Sequence, residues 1–261
     1  MGSCTLARRV GLRGWLLIGA LFACLLPLRA NADGLRVGTS LAVLNYSVPN
    51  SDSTVNLFYS AVSARVARGR AGMTFSVPMM GISGGSVALS DEKIAVTGGD
   101  RRGRFGLGDM SVGLDYNLYQ NRAKMIIVTL GGSLRMPSAS TALSLGTGEY
   151  LLGLGLSGVY GITRKLMAFG DLRQAWVGIM SPVAGRAKTG EVGLIYWYTE
   201  KMGISTSLLA ADYAGRAATS LELNVGLTYE LFPGFMTNVG GIGGLFGGAP
   251  RGISFGFGFE I

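Results

Sequence analysis

The chain closes on Gly252, Ile253, Ser254, Phe255, Gly256, Phe257, Gly258, Phe259, Glu260 and Ile261. In an extended backbone Ile253, Phe255, Phe257, Phe259 and Ile261 fall on one face and Ser254, Gly256, Gly258 and Glu260 on the other, the period of two of a β-strand. A terminal strand that is large and apolar on one side and small or polar on the other suits a wall between lipid and a lumen. It predicts an all-β fold, a transmembrane antiparallel β-barrel.

The opposite end of the sequence agrees. Arg8, Arg9 and Arg13 precede an apolar run of about fourteen residues, Trp15 to Leu28, and Ala30, Asn31, Ala32 offer small residues for cleavage before Asp33. Residues 1–32 read as a secretory signal peptide; the run falls short of the roughly 20 residues that a spanning helix needs. Phe22 stands where a lipoprotein motif around Cys24 would want a small residue. Residues 1–32 hold both cysteines and four arginines but no acidic residue, so their removal lowers the formal charge from +8 to +4. Residues 33–261 would then be one cysteine-free barrel domain, without a disulfide framework or thiolate metal site. The modest charge and export both argue against a nucleic-acid partner.

No later segment offers eighteen consecutive apolar residues. Helical spanning is therefore not expected, and a closed sheet is the other way to satisfy backbone groups in lipid. Twelve candidate strands fall near 35–45, 54–67, 72–81, 108–119, 125–136, 150–160, 166–177, 189–198, 202–211, 219–231, 235–245 and 252–261. The tenth alternates longest, Leu221, Leu223, Val225, Leu227, Tyr229 and Leu231 against Ser220, Glu222, Asn224, Gly226, Thr228 and Glu230. In the second the apolar parity switches near Tyr59 and Ser60, which suggests a bulge.

Connections after even-numbered strands are short and those after odd ones longer, above all 82–107 and 137–149, the habit of short periplasmic turns and longer external loops. Lys93, Lys124, Lys165, Lys188 and Lys201 fall in or beside connections, whereas a soluble sandwich or lipocalin-like barrel would spread lysines over its sheet. Tyr119, Tyr160, Tyr198 and Tyr229 sit near the ends of even strands, where an aromatic girdle would meet one membrane interface.

Gly106, Leu107, Gly108 and Asp109 running into Val112 to Tyr116, then Leu145, Gly146, Thr147 and Gly148, then Phe169, Gly170, Asp171 and Leu172, form short glycine-rich blocks. They resemble those of the outer-membrane transporter family labelled meta-pathway of phenol degradation, over about residues 100–180. The chain departs from the usual barrel ending by closing on Ile261 rather than Phe. The resemblance implies uptake of small, often aromatic or apolar compounds.

Enzymatic readings meet one strong obstacle: the chain has no histidine. Ser-His hydrolases, His-dependent phospholipases and acyltransferases, Asp-His proteases and His-ligated metals are excluded. Asp109 and Asp115, six residues apart in a strand, lie ~20 Å apart along it, too far for concerted acid-base work. The runs Gly240–Gly244 and Gly146–Gly148 lack the lysine and hydroxyl of a P-loop. No cofactor or metal is indicated. Arg101, Arg102 and Arg104 in the long loop suit solvent, anionic lipopolysaccharide or the lumen.

Charged residues opposite the apolar face are the candidate lumen residues. Asp109, Arg135, Asp171, Arg173, Glu191 and Glu222 lie in the outer halves of their strands, where they would form a mixed-charge constriction; Asp115 lies deeper. With twelve strands the lumen should be narrow or gated, and 82–107 is a candidate plug. The expected function is an outer-membrane channel for a small solute in a Gram-negative cell, not an enzyme. Its expected partners are outer-membrane lipid, lipopolysaccharide, the barrel-assembly machinery and the solute. A closed structural or surface-interaction barrel is the other reading.

Overall fold

The computed structural model describes residues 34–47, 54–83, 85–90, 93–98, 103–121, 123–139, 145, 148–178, 185–213, 220–246 and 249–260. The strands are β1 (Gly34–Ser47), β2 (Thr54–Arg68), β3 (Ala71–Ser83), β4 (Gly85–Ser90), β5 (Lys93–Gly98), β6 (Arg104–Leu107), β7 (Met110–Asn121) and β8 (Ile126–Met136). They continue as β9 (Leu151–Gly161), β10 (Leu166–Val177), β11 (Gly185–Trp197), β12 (Met202–Tyr213), β13 (Ser220–Phe232), β14 (Phe235–Phe246) and β15 (Arg251–Glu260). No helix occurs among the described residues. The signal-peptide reading, Arg101, Arg102 and Ile261 lie outside them.

Twelve strands, β1 to β3 and β7 to β15, close on themselves by antiparallel pairing. The seam is β1 on β15, from Arg36 opposite Glu260 to Asn45 opposite Arg251. Closure leaves no sheet edge to lipid, which a spanning sheet requires because hydrocarbon offers its backbone no hydrogen bonds. Both ends of the described chain therefore emerge at one end of the barrel, the end with the short turns.

The two faces follow the alternation in the sequence. On β13 Leu223, Val225, Leu227, Tyr229 and Leu231 are exposed on the outside, and Glu222 is buried on the inside. On β15 Phe257 and Phe259 face out, while Gly256 lies inward, where a Cβ would stand 2.5 Å from Asn238 Oδ1. Tyr119, Tyr160, Tyr198 and Tyr229 are all exposed at the short-turn end. Beside them Phe232 stacks on Phe235 with ring centroids 4.8 Å apart.

Local chemistry makes the short turns. Thr163 Oγ1 accepts hydrogen bonds from the backbone N–H of Lys165 and Leu166, and Thr199 Oγ1 does the same for Lys201 and Met202. Pro233 and Gly234 join β13 to β14; Gly234 has φ 81°, a left-handed conformation that favours glycine.

Several details differ from expectation. The fourth wall strand is split: β7 pairs with the lower part of β3, β6 pairs with its upper part from Met79 to Ile82, and the chain crosses between them at Gly108 and Asp109. A Cβ on Gly108 would stand 2.8 Å from Met80 Sδ, so the crossing is held tight against β3. The expected bulge at Tyr59 and Ser60 is absent: β2 pairs residue for residue with both β1 and β3. Its apparent parity switch arises because the inner face itself turns apolar there. Lys188 is no loop residue; it lies within β11, opposite Gln174 and Asp212.

The packed core sits inside the barrel at the long-loop end. Tyr46, Val55, Leu57, Met80 and Ile82 form a buried cluster with Leu145. A second inner cluster joins Leu151, Ala175 and Ala187, with Val177 against it.

Candidate functional site: the lumen wall

Asp115, Arg135, Asp171, Arg173, Glu191 and Glu222 carry the inward parity of their strands and Asp109 lies in the crossing between β6 and β7, but registry sorts them into different arrangements. Asp171 pairs in register with Glu191 across β10 and β11, Glu191 with Leu209, and Leu209 with Glu222. Three carboxylates thus share one row of the wall. Arg173 Nε lies 2.8 Å from Asp171 Oδ1 on the same strand, and the Ser207 hydroxyl donates to Glu191 Oε1 at 2.5 Å. Charge and hydroxyl groups hold this acidic row in place.

Asp115 shares a row with Arg173. It pairs with Gly131, Gly131 with Gly155, and Gly155 with Arg173. The two intervening glycines carry no side chain; the Arg173 side chain lies over Gly155, where a Cβ would stand 2.8 Å from its Cγ, and the wall is bare at Gly131. A cavity of about 320 Å³ occupies that strip, bordered by Thr74, Ser111, Asp115, Ser157, Asp171 and Arg173.

Asp115 is also tied to the far side of β3. Arg65 Nη2 reaches Asp115 Oδ2 at 2.6 Å, and Arg65 Nε reaches Oδ1 at 3.3 Å. The bidentate pair arches over Gly72, where a Cβ would lie 2.6 Å from Asp115 Oδ1 and 2.8 Å from Arg65 Nη2. Arg65 escaped the sequence reading because its partner is 50 residues away, and no local pattern joins them.

Asp109 has a different job. It is 3% exposed, and its Oδ1 accepts the backbone N–H of Ala139 at 3.0 Å. Ser138 Oγ adds to the tie by accepting the N–H of Met110 at 2.8 Å. Asp109 therefore fastens the base of the connection after β8 to the crossing between β6 and β7. Arg135 and Glu222 also have partners, and neither stands alone on the wall.

The same connection carries Leu145. Leu145 is fully buried against the inner faces of β1, β2 and β3, with Ala139 packed beside the same cluster. Burial of a leucine side chain is worth about 1.5–3 kcal/mol, which favours Leu145 in this cluster over exposure to water. Of the candidate lid or plug 82–107, Arg104–Leu107 extend the wall as β6, and Leu145 of the next long connection also fills an inner pocket.

A scan of protein-family models gives no match, and neither does a comparison with curated proteins. Solved structures do match in fold. An outer-membrane channel from Pseudomonas putida F1 has a TM-score of 0.70 at 13% identity, over 87% of this chain and 95% of its own. The translocator domain of the autotransporter NalP from Neisseria meningitidis has a TM-score of 0.53 at 13% identity, over 98% of this chain and 97% of its own. The NanC porin has a TM-score of 0.54 at 9% identity, over 85% of this chain and 100% of its own. The chain has the fold of this class, a twelve-stranded antiparallel barrel of the outer-membrane type.

Proposed function

We propose that the protein is an outer-membrane channel through which a small solute, apolar or aromatic in part, passes without energy input or a cofactor. In this reading residues 1–32 direct export, the barrel-assembly machinery inserts residues 33–261, and the outer rim meets lipopolysaccharide. The observation that carries it is the space of about 320 Å³ over the glycine-rich strip of wall between Asp115 and Arg173, bordered by charge. A wall built only for stability would fill such a strip with side chains. The similarity in fold to an outer-membrane channel supports the same reading.

Reconstitution of the purified protein in planar bilayers tests it. We expect small single-channel conductance whose ion preference moves toward anions in Asp171→Ala and toward cations in Arg173→Ala, read as opposite displacements of the reversal potential. A folded, heat-modifiable barrel with neither conductance nor solute uptake would end this proposal.

Leu145 favours a second reading, a closed barrel that binds a partner through its external loops. In that case conductance is absent, and replacing Leu145 leaves it absent.

A further inference from the structure

We infer that the inner pocket filled by Leu145 is the binding site for the apolar part of the solute, and that Leu145 is its built-in competitor. This rests on the channel reading and adds to it where the solute first binds and what kind of group it presents.

The pocket is unusual for an inner wall. Tyr46 of β1, Val55 and Leu57 of β2 and Met80 and Ile82 of β3 share the inward parity of Arg65 and Gly72, and all are 5% exposed or less. Barrel closure does not require this, because backbone hydrogen bonds already join the three strands. Farther along the same faces the wall is Ser63, Thr74 and Ser76, residues that suit a wet lumen. The apolar patch is confined to the long-loop end, where a solute from outside arrives first.

Its present occupant indicates what fits. Leu145 contributes a branched alkyl group of four carbons, and an alkyl or single-ring aromatic group of similar cross-section would meet the same partners. Met80, unbranched and polarisable, can adapt to either shape. The base of the connection that carries Leu145 is tied through Ala139 to Asp109 and through Ser138 to Met110. Leu145 itself holds its place by burial among apolar side chains, which an apolar group of similar size supplies equally. Beyond the pocket lies the charged, hydroxyl-lined cavity, so the geometry suits a solute with one apolar and one polar end.

Benzyl alcohol, a water-soluble aromatic with one polar group, is the probe. With the methionine methyl groups labelled with 13C in the full protein, the Met80 resonance should shift saturably on titration, and Met236, inward-facing at the short-turn end, should not. Leu145→Ala should lower the apparent Kd roughly tenfold, because apparent affinity scales with the fraction of protein whose site is vacant. Leu145→Phe should raise it. Heat modifiability checks that each variant is folded. A Met80 resonance that ignores the probe in all three proteins, or one Kd common to all three, overturns the inference. Conductance of the same samples separates the two ideas. Binding as expected with no conductance in any variant removes the channel and leaves the pocket. Conductance with Leu145-independent binding removes the pocket and leaves the channel.

Discussion

Two ion pairs on the inner wall look alike in a contact map but differ in consequence. Arg36 and Glu260 pair across the seam with both side chains more than half exposed, at 58% and 56%. Arg65 and Asp115 pair over Gly72 with Asp115 at 22%. Water can replace the first pair, so Arg36→Met should change stability by less than about 1 kcal/mol. Arg65→Met leaves a partly buried carboxylate without its bidentate donor, at a cost of about 1–3 kcal/mol. The two are compared by urea-dependent folding into bilayers; equal midpoint shifts would contradict the distinction. Gly72→Ala should mimic Arg65→Met, since its Cβ meets only the movable ends of both side chains. Gly193→Ala should cost more, because its Cβ would sit 2.5 Å from the Thr206 carbonyl oxygen, which is backbone, as well as from the Phe169 ring. The inward parity of Asp115, Asp171 and Arg173 was legible in the sequence. Their partners were not, because Arg65 and the row through Gly131 and Gly155 depend on which strands become neighbours and in what register.

At the scale of the strand, alternation did most of the work. β13 has one fatty face and one polar face, so opposite substitutions at adjacent positions should separate cleanly. Val225→Arg puts a charge on the lipid side and should destabilise folding by about 2–4 kcal/mol near the bilayer midplane. Asn224→Arg puts the same charge in the lumen, where it should leave folding nearly unchanged and alter ion preference. Folding titrations and reversal potentials read the two outcomes. Alternation misled where one strand borders three environments: the inner face of β2 passes from Arg65 and Ser63 to Leu57 and Val55, and the change of chemistry imitates a change of register. It also missed β6, a strand of four residues that extends the wall on β3. Four residues give too little period to distinguish a strand from a loop.

For the whole molecule, the hairpin of β4 and β5 is a separate two-stranded sheet outside the closed ring. Deleting Ser86 to Gly99 should therefore leave a heat-modifiable barrel. If Leu145 is the plug, conductance should stay at the wild-type level; a large rise would assign the plug to the deleted hairpin. Loss of surface binding with unchanged permeability would instead favour the closed, partner-binding reading. The sequence alone determined the barrel, its twelve wall strands, the lipid face of those that alternate cleanly and the end at which the short turns gather, because the lipid–lumen contrast repeats every two residues and is therefore local. Only the tertiary structure decided that Asp115 shares a row with Arg173 through Gly131 and Gly155, that Asp109 ties Ala139 to the crossing between β6 and β7, and that Leu145 fills the inner pocket. Those relations join residues on different strands and loops, and curvature, register and closure, which no short stretch of sequence contains, bring them together.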